Sequence, residues 1–249
     1  MGILENKVAI VTGASSGIGR EIARLFASEG AAVVVTARRE KELGKLVNEL
    51  SQQGGKAAFV AGDVTDETLH QRVVEMALAE FGGLDIAVNN AGTVGPYKAL
   101  AEVTLQEWQE PLSVNLTGAF LGARHQIPAM LPRGGGAIVF TSSFVGNSAG
   151  LPGMAAYGAS KAGLMGLVRG IAADYAADGI RANALMPGGT DTDAAGDDAQ
   201  KEWAAGLHAM KRIADPQEIA KAALFLASPM ASFVTGTALF ADGGNSATK

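Results

Sequence analysis

Short, mainly apolar runs alternate with amphipathic segments along the chain, and this alternation restricts the fold more than any other feature. The apolar runs are Val8–Val11, Val33–Val35, Ala57–Val60, Leu84–Val88, Ala137–Phe140, Arg181–Leu185 and Ala238–Phe240. The amphipathic segments include Arg20–Ser28, Glu40–Gln53, Glu67–Phe81 and Leu105–Met130. This rhythm predicts βαβ units that build a parallel sheet with helices on both faces. Because strands that are apolar on nearly every residue need cover on both sides, we predict a doubly wound, three-layer α/β/α fold.

The composition indicates one globular domain over residues 1–249, since 48% of the residues are hydrophobic and 18% are charged. The net charge of −5 argues against partners that require a basic surface, namely nucleic acid and anionic membranes. The chain has no cysteine and three scattered histidines, so we expect no disulfide and no metal site. The first predicted strand begins at Val8 and no apolar run is long enough to span a bilayer, so we expect a cytoplasmic protein.

One stretch interrupts the rhythm. The segment Gly188–Gly206 is rich in Gly, Asp, Thr and Ala and has little apolar content. Long irregular segments of this kind often cover a binding site. We predict a mobile lid over residues 188–212.

A glycine-rich turn follows the first predicted strand and opens the first helix. Its glycines are Gly13, Gly17 and Gly19, and its other candidate ligands are Ser15, Ser16 and Ile18. Glycines allow the backbone to approach a pyrophosphate closely, and the helix N-terminus adds free N–H groups and the positive end of the helix dipole. A tight strand–helix turn without a ligand is the alternative. The position at the first βα turn favours a dinucleotide site.

The second predicted strand leads into Ala37, Arg38 and Arg39. An acidic residue at this place would hold the ribose 2′-OH of NAD, whereas an arginine accommodates the 2′-phosphate of NADP. Guanidinium groups bind phosphate through charge-assisted hydrogen bonds. The alternative is a solvated pair of arginines, although cations are mildly unfavourable at a helix start. We therefore predict NADP(H) as the preferred cofactor, with NAD(H) as the alternative.

Tyr157 and Lys161 lie four residues apart, which places them on one face of a predicted helix. Lowering the pKa of a phenol from ~10 to about 7 requires about 4 kcal/mol. An ammonium about 4 Å away supplies on the order of 4 kcal/mol at an effective dielectric constant near 20. The pair predicts an acid–base tyrosine, although a coincidental Tyr and Lys on one helix is the simpler alternative.

Two polar segments follow predicted strands at their carboxyl ends, where open α/β sheets bind ligands. Ser143 follows the strand Ala137–Phe140, and a hydroxyl there can donate to a substrate oxygen. Asn89, Asn90, Ala91 and Gly92 follow Leu84–Val88. Ordinary loop capping is the alternative for these polar residues.

Taken together, the chain resembles the single-domain type of the short-chain dehydrogenase/reductase family over essentially its whole length. The resemblance rests on Thr12-Gly13-x3-Gly17-x-Gly19, Asn89-Asn90-Ala91-Gly92, Ser143, Tyr157-x3-Lys161 and Pro187-Gly188. It implies a Rossmann-type fold with a seven-stranded parallel sheet. It also implies that hydride passes between nicotinamide and a carbonyl or secondary alcohol of a small molecule. The spacing of 157−143 = 14 between the serine and the tyrosine is one residue longer than in many members, so we expect a reshaped loop at Asn147–Met154.

The resemblance implies roles for individual residues. The catalytic tetrad would consist of Asn115, Ser143, Tyr157 and Lys161. Tyr157 would be the acid–base group, and Ser143 would bind the substrate carbonyl. Lys161 would bind the nicotinamide ribose and lower the pKa of Tyr157. Asn115 would hold a water through its backbone. The remaining expected cofactor contacts are Asp63 and Val64 at the adenine, Asn89, Ala91 and Gly92 at the adenine ribose and nicotinamide side, and Pro187, Gly188, Thr190 and Thr192 at the carboxamide.

The sequence indicates the substrate less clearly than the cofactor. Candidate pocket residues are Gly95, Pro96, Phe144, Asn147, Met154, Gly188, Trp203, Leu207, His208 and Met210, each of which could equally pack in the core or lid. A 3-oxoacyl-thioester reductase is one alternative, but Asp178 and the acidic net charge would repel an acidic carrier protein. A non-catalytic NADPH sensor would not need the Tyr–Ser–Lys set. An extended-type dehydratase or epimerase would need a further substrate domain. We predict a small ketone, sugar or alcohol as substrate.

A helix that is apolar on several faces needs burial. The predicted helices Leu105–Met130 and Ala155–Tyr175 are of this kind. The family resemblance then suggests a homotetramer, with residues Ser228–Phe240 at a second interface.

Overall fold

The computed structural model describes residues 2–248, apart from the side chain of Ala194, so the ends of the predicted 1–249 domain lie outside the described residues. Seven strands form one sheet: β1 Val8–Thr12, β2 Ala32–Ala37, β3 Ala57–Ala61, β4 Ile86–Asn89, β5 Gly136–Thr141, β6 Ile180–Pro187 and β7 Ala238–Ala241. The helices are α1 Gly17–Ser28, α2 Glu40–Gln52, α3 Glu67–Phe81, α4 Leu105–Pro111, α5 Gly118–Met130, α6 Ala155–Tyr175, α7 Asp198–Gly206 and α8 Pro216–Ala227. The seven predicted strands and the α/β class are confirmed.

All strand pairs are parallel, in the order β3-β2-β1-β4-β5-β6-β7. The chain therefore moves outward in one direction through β1, β2 and β3, and returns to add β4 on the other side of β1. In open α/β sheets, such a reversal leaves a crevice at the carboxyl ends of the strands, where ligands bind. The doubly wound Rossmann-type fold predicted above is confirmed.

Two apolar cores lie on the two faces of the sheet. One buries residues of α3, α5 and α6, such as Leu69, Ile127 and Leu164. The other buries residues of α1, α2 and α8, such as Phe26, Leu46 and Leu226. Side chains alternate across each strand, as in β1, where Ile10 belongs to the first core and Val11 to the second. Strands that are buried on both sides explain the nearly continuous apolar runs in the sequence.

The predicted helix Leu105–Met130 is not one regular helix. A π-helical segment, Leu112–Thr117, separates α4 from α5, and Pro111 immediately precedes it. A proline ring clashes with the preceding turn, and π segments are common at functional sites. The amphipathic pattern alone does not reveal this change of winding.

The segment Gly188–Gly206 is not wholly irregular. It contains a short 3₁₀ helix, Asp193–Ala195, and the helix α7. Asp197 and Gln200 form a reciprocal capping box at the start of α7. The low apolar content concealed this helix, because its side chains bury little: Trp203 is 58% exposed. None of the described helices combines the length and apolar character needed to cross a bilayer.

Candidate active site

The glycine-rich turn is held in place by the neighbouring strand end. The hydroxyl of Thr12 accepts hydrogen bonds from the backbone N–H groups of Asn90 and Ala91, both at 2.9 Å. The side-chain amide of Asn90 donates to the carbonyl of Thr12 at 3.0 Å. Thr12 and Asn90 therefore join β1 to the end of β4, beside the point where the strand order reverses. Thr12 and Asn90 are not among the predicted cofactor ligands, although Thr12 begins the glycine-rich motif and Asn90 belongs to the motif Asn89-Asn90-Ala91-Gly92.

Glycine is required at the three predicted positions for two reasons. Gly13 and Gly17 have positive φ values of 70° and 55°, which side chains rarely adopt. At Gly19 a Cβ atom would lie 2.5 Å from the carbonyl oxygen of Gly13, so α1 packs directly on the turn. Ser16 is the N-cap of α1 but does not cap it with its side chain, so the first N–H groups of the helix receive no acceptor from Ser16. The turn has the shape and polarity of a phosphate cradle.

The two arginines that were assigned to a 2′-phosphate differ in placement. Arg39 donates through Nε and Nη2 to the hydroxyl of Ser15, at 3.1 and 3.0 Å, and through Nη2 to the hydroxyl of Ser16. Arg38 is exposed. The guanidinium of Arg39 therefore lies on the glycine turn, and it is the better placed of the two cations.

Ser143 and Tyr157 meet at the carboxyl end of β5. The Ser143 hydroxyl accepts from the backbone N–H of Val145 at 3.1 Å, which orients it. The Tyr157 hydroxyl lies close enough to Ser143 for the serine side chain to favour a lower pKa of the phenol. Tyr157 is in the first turn of α6 and is half-buried. The structure thus brings together a serine and a tyrosine that are distant in sequence.

Lys161 lies one turn further along α6 and is 4% exposed. Its Nζ donates to the carbonyl oxygen of Thr141 at 2.7 Å and lies 5.8 Å from the centre of the Tyr157 ring. Burial disfavours the charged ammonium and lowers the pKa of Lys161 from 10.5 to about 8. The hydroxyl of Ser142 donates to the Lys161 carbonyl at 2.8 Å and ties α6 to the end of β5.

The expected lowering of the Tyr157 pKa is not present in the free protein. Burial raises the pKa of Tyr157 above 10.0, the Ser143 side chain opposes this, and the nearby Tyr97 adds to the rise. An isolated Tyr–Lys pair would have a lowered phenol pKa, but burial removes the phenolate from water, which is costly. Tyr157 is therefore a protonated phenol at neutral pH and is suited to donate a proton.

Asn115 lies in the π-helical segment and is 1% exposed. Its side chain accepts from the N–H of Thr93 at 2.8 Å and donates to the Thr93 carbonyl at 2.9 Å and to the Ser160 hydroxyl at 2.8 Å. Asn115 thereby fixes the Thr93 loop to α6 next to Lys161. With the side chain fully engaged, its backbone is the part left for the water that was expected here.

The predicted cofactor contacts Asn89 and Gly92 have different surroundings. The Asn89 side chain forms two hydrogen bonds with Gln126 of α5, at 2.9 and 3.0 Å, so it points into the core and not into the cleft. At Gly92 a Cβ atom would lie 3.1 Å from Oδ1 of Asn115 and 3.3 Å from Nζ of Lys161. The glycine therefore leaves space directly in front of the ammonium.

The residues present fit a nicotinamide dinucleotide. The phosphate cradle, the space before Lys161 and the hydroxyl of Thr141 lie along one edge of the sheet. The Thr141 hydroxyl is buried and has no hydrogen-bond partner among the described residues. Buried polar atoms usually have partners, so this hydroxyl is one that a ligand can satisfy.

The loop after β6 closes the same edge. Thr190 donates from its hydroxyl to the Gly188 carbonyl at 3.1 Å, and Thr192 lies against the glycine turn, 3.1 Å from where a Cβ of Gly17 would be. Pro187 ends β6. On the other side of the cleft, Asp63 accepts from Thr65 at 2.8 and 2.9 Å, and the adjacent Val64 is buried.

The predicted pocket residues are not equivalent. His208 is 2% exposed and engaged at both ring nitrogens, whereas Trp203 and Met210 are 58% and 59% exposed. Asn147 donates to the Ser142 hydroxyl at 3.2 Å and to the Ser143 carbonyl at 2.9 Å, so it shapes the serine loop. Phe144 is buried beside Ser143. Three of these five residues belong to α7 or the segment after it, and the other two to the segment after β5.

The sequence is similar to that of known oxidoreductases over nearly its full length. The sequence model of the family described as Enoyl-(Acyl carrier protein) reductase matches residues 13–246. The A-factor type gamma-butyrolactone 1'-reductase (1S-forming) of Streptomyces virginiae is 43% identical over 249 residues, which covers 98% of this chain and 96% of that protein. The cyclohexanol dehydrogenase of Acinetobacter sp. (strain SE19) is 38% identical over 238 residues, with 96% and 94% covered.

The fold is similar to that of solved structures. The crystal structure of a short-chain type dehydrogenase/reductase from Mycobacterium marinum superposes with a TM-score of 0.93 at 34% sequence identity, covering 98% of this chain and 97% of that chain. The similarity therefore includes every strand and helix that builds the candidate site.

Proposed function

The chain belongs to the short-chain dehydrogenase/reductase family and is an oxidoreductase acting on CH–OH groups, and from this premise we propose that it prefers NADP(H) and uses Tyr157 as its acid–base group. The observation that carries the proposal is the meeting of Ser143, Tyr157 and Lys161 at the carboxyl end of β5, beside the glycine turn. Such a set provides a proton donor, a hydrogen bond to a substrate oxygen and a cation.

Each residue of the set has a distinct task. The bound dinucleotide supplies or accepts the hydride. In the direction of reduction, Tyr157 donates its phenolic proton to the substrate oxygen, and in oxidation it takes that proton back. Ser143 donates a hydrogen bond to the same oxygen as negative charge develops on it. Lys161 stabilises the phenolate electrostatically once the proton has left, because the pair is buried and poorly screened.

The proposed substrate is a secondary alcohol of a small aliphatic ring, or the matching ketone. The names of both relatives described above contain such a ring, a butyrolactone in one and a cyclohexanol in the other. The buried ring of Phe144 next to Ser143 gives an apolar wall for such a substrate. Assays of cyclohexanol with NADP⁺ and of cyclohexanone with NADPH test the proposal directly. A 3-oxoacyl-thioester that is turned over much faster than either would favour the alternative substrate class.

Arg39 is the proposed ligand of the 2′-phosphate, because its guanidinium lies on Ser15 and Ser16. A charge-assisted hydrogen bond contributes about 1.5–3 kcal/mol. We expect Arg39→Ala to raise the Kd of NADPH by about tenfold or more, with less than about a twofold change for NADH. Calorimetric titration of both dinucleotides measures this. The neighbouring variant Arg38→Ala should have the smaller effect, and equal losses for NADPH and NADH would overturn the cofactor preference.

We also propose that the protein is a homotetramer. Phe233, Met230 and Phe240 are 103%, 57% and 39% exposed on the β7 side, and Leu105 and Phe120 are 70% and 45% exposed on α4 and α5. Exposed apolar patches commonly mark interfaces.

A charge placed on the β7 side should therefore weaken assembly. We expect Phe233→Glu to reduce the tetramer to smaller species in sedimentation velocity, because a carboxylate at an apolar interface loses its hydration. Leu78→Glu, at a leucine of α3 that is 44% exposed, is the matched control and should remain tetrameric. A monomeric wild-type protein would refute the assembly.

A further inference from the structure

His208 lies between three parts of the molecule and belongs to none of the catalytic groups. It follows the lid helix α7 and is 2% exposed. Its Nδ1 is 2.7 Å from the carbonyl oxygen of Ala204 in α7, and its Nε2 is 2.9 Å from the backbone N–H of Gly189, which donates to it. One ring therefore joins the lid helix to the loop after β6.

These two partners determine the protonation of the ring. A carbonyl oxygen only accepts hydrogen bonds, so Nδ1 carries the proton. A backbone N–H only donates, so Nε2 is bare. His208 is thus the neutral imidazole in a single tautomer, and its Nε2 is the hydrogen-bond acceptor of the Gly189 amide.

The glycine pair Gly188 and Gly189 is matched to the ring. A Cβ atom at Gly188 would lie 2.5 Å from Nε2 of His208, and one at Gly189 would lie 3.0 Å from Cε1. Neither glycine is among those with positive φ, so close approach of the imidazole, and not backbone conformation, requires glycine here.

The surroundings hold the ring from the other sides. The Asn245 side chain donates to the Leu207 carbonyl at 2.8 Å, which fixes the residue before His208 to the C-terminal turn. Phe144, next to the catalytic serine, meets the imidazole edge-on with ring centres 6.3 Å apart. Because His208 is fixed on these sides, it can fix Gly189 in turn.

We propose that His208 is a positioning residue that sets the loop Gly188–Thr190 for the nicotinamide end of the dinucleotide and couples this loop to the lid helix α7. The proposal rests on the dinucleotide site proposed above. Without the acceptor at Nε2, the Gly189 amide is left without its partner, and only the backbone hydrogen bonds of the loop to Ala241 and Ala214 still hold it.

Hydrogen exchange of the free protein, followed by mass spectrometry of peptides that contain Gly189, tests the hydrogen bond. In His208→Gln the side-chain amide places an acceptor where Nε2 lies. In His208→Asn the shorter amide places only a donor, where Nδ1 lies. In His208→Leu the side chain provides neither group. We expect the Gly189 amide to be protected in the wild-type protein and in His208→Gln, and to exchange faster in His208→Asn and His208→Leu. Equal protection in all four proteins would overturn the proposal.

The Kd of NADPH tests the positioning. We expect it to rise about tenfold in His208→Asn and His208→Leu and to stay near the wild-type value in His208→Gln. His208→Gln is the matched control, because it changes the ring but keeps an acceptor at the place of Nε2. A Gln variant as weak as the Leu variant would show that His208 only fills space. A wild-type protein that does not bind NADPH would contradict the proposed function instead, whereas the exchange of Gly189 is measured without dinucleotide.

Discussion

Replacing Tyr157 by phenylalanine is expected to lower kcat by about a thousandfold or more while the Kd of NADPH changes less than about twofold. The change removes only the hydroxyl, which lies beside Ser143 at the carboxyl end of β5. The pKa of that phenol is raised by burial, so the proton donor is fully present at neutral pH.

Steady-state turnover of cyclohexanone with NADPH, combined with calorimetric binding of NADPH, measures both parts of this expectation. Tyr175→Phe is the matched control, because it removes the same hydroxyl from a half-buried tyrosine at the far end of the same helix. It should retain wild-type turnover. Retained turnover in Tyr157→Phe would refute the proposed acid–base role.

Replacing Lys161 by methionine is expected to raise the stability of the protein while it lowers kcat by about a hundredfold. The pKa of Lys161 falls from 10.5 to about 8 on folding, because burial disfavours the ammonium. A shift of this size corresponds to about 3 kcal/mol against folding at neutral pH. Methionine has a similar length and no charge to bury. The lost cation no longer stabilises the Tyr157 phenolate, so catalysis declines.

The pH dependence provides a second measurement with a definite sign. Between pH 8 and 10.5 the unfolded chain holds more protons at this lysine than the folded protein does. Stability from this group therefore rises as the pH increases through that window, and the rise should be missing in Lys161→Met.

Melting temperatures at several pH values measure the effect, with Lys56→Met, at an exposed lysine, as the control that should change little. A Lys161→Met protein with a lower melting temperature than the wild type would show that the buried ammonium does not destabilise the folded protein.

Local patterns account for the parts of the fold that sequence reasoning predicted. The strand β2 is apolar at Val33, Val34 and Val35, and a parallel strand buried on both sides requires this. Gly13 and Gly17 have positive φ, a conformation that follows from the residue type within a short turn. Tyr157 and Lys161 share a helix face because the helical period places them there.

Contacts between residues far apart in the sequence decide details that local patterns do not reveal. The Asn89 side chain turns inward because Gln126, far along the chain, offers two hydrogen bonds. Arg39 rather than Arg38 reaches the glycine turn, which depends on how β2 lies beside β1. The helix α7 was concealed because its stability comes from capping by Asp197 and from packing at its end, not from an apolar stripe.

The sequence by itself determined the α/β class, the seven strands and the glycine-rich turn, and it pointed to Ser143, Tyr157 and Lys161, because each lies in a local strand, turn or helix pattern. Asn115 followed only from the family resemblance. Only the tertiary structure decided the charge state of the site and the role of His208. Desolvation is the sum of everything packed around a group, so the pKa of Tyr157 rose where a pairwise argument predicted a fall. The acceptor of the Gly189 amide, likewise, comes from a residue 19 positions away.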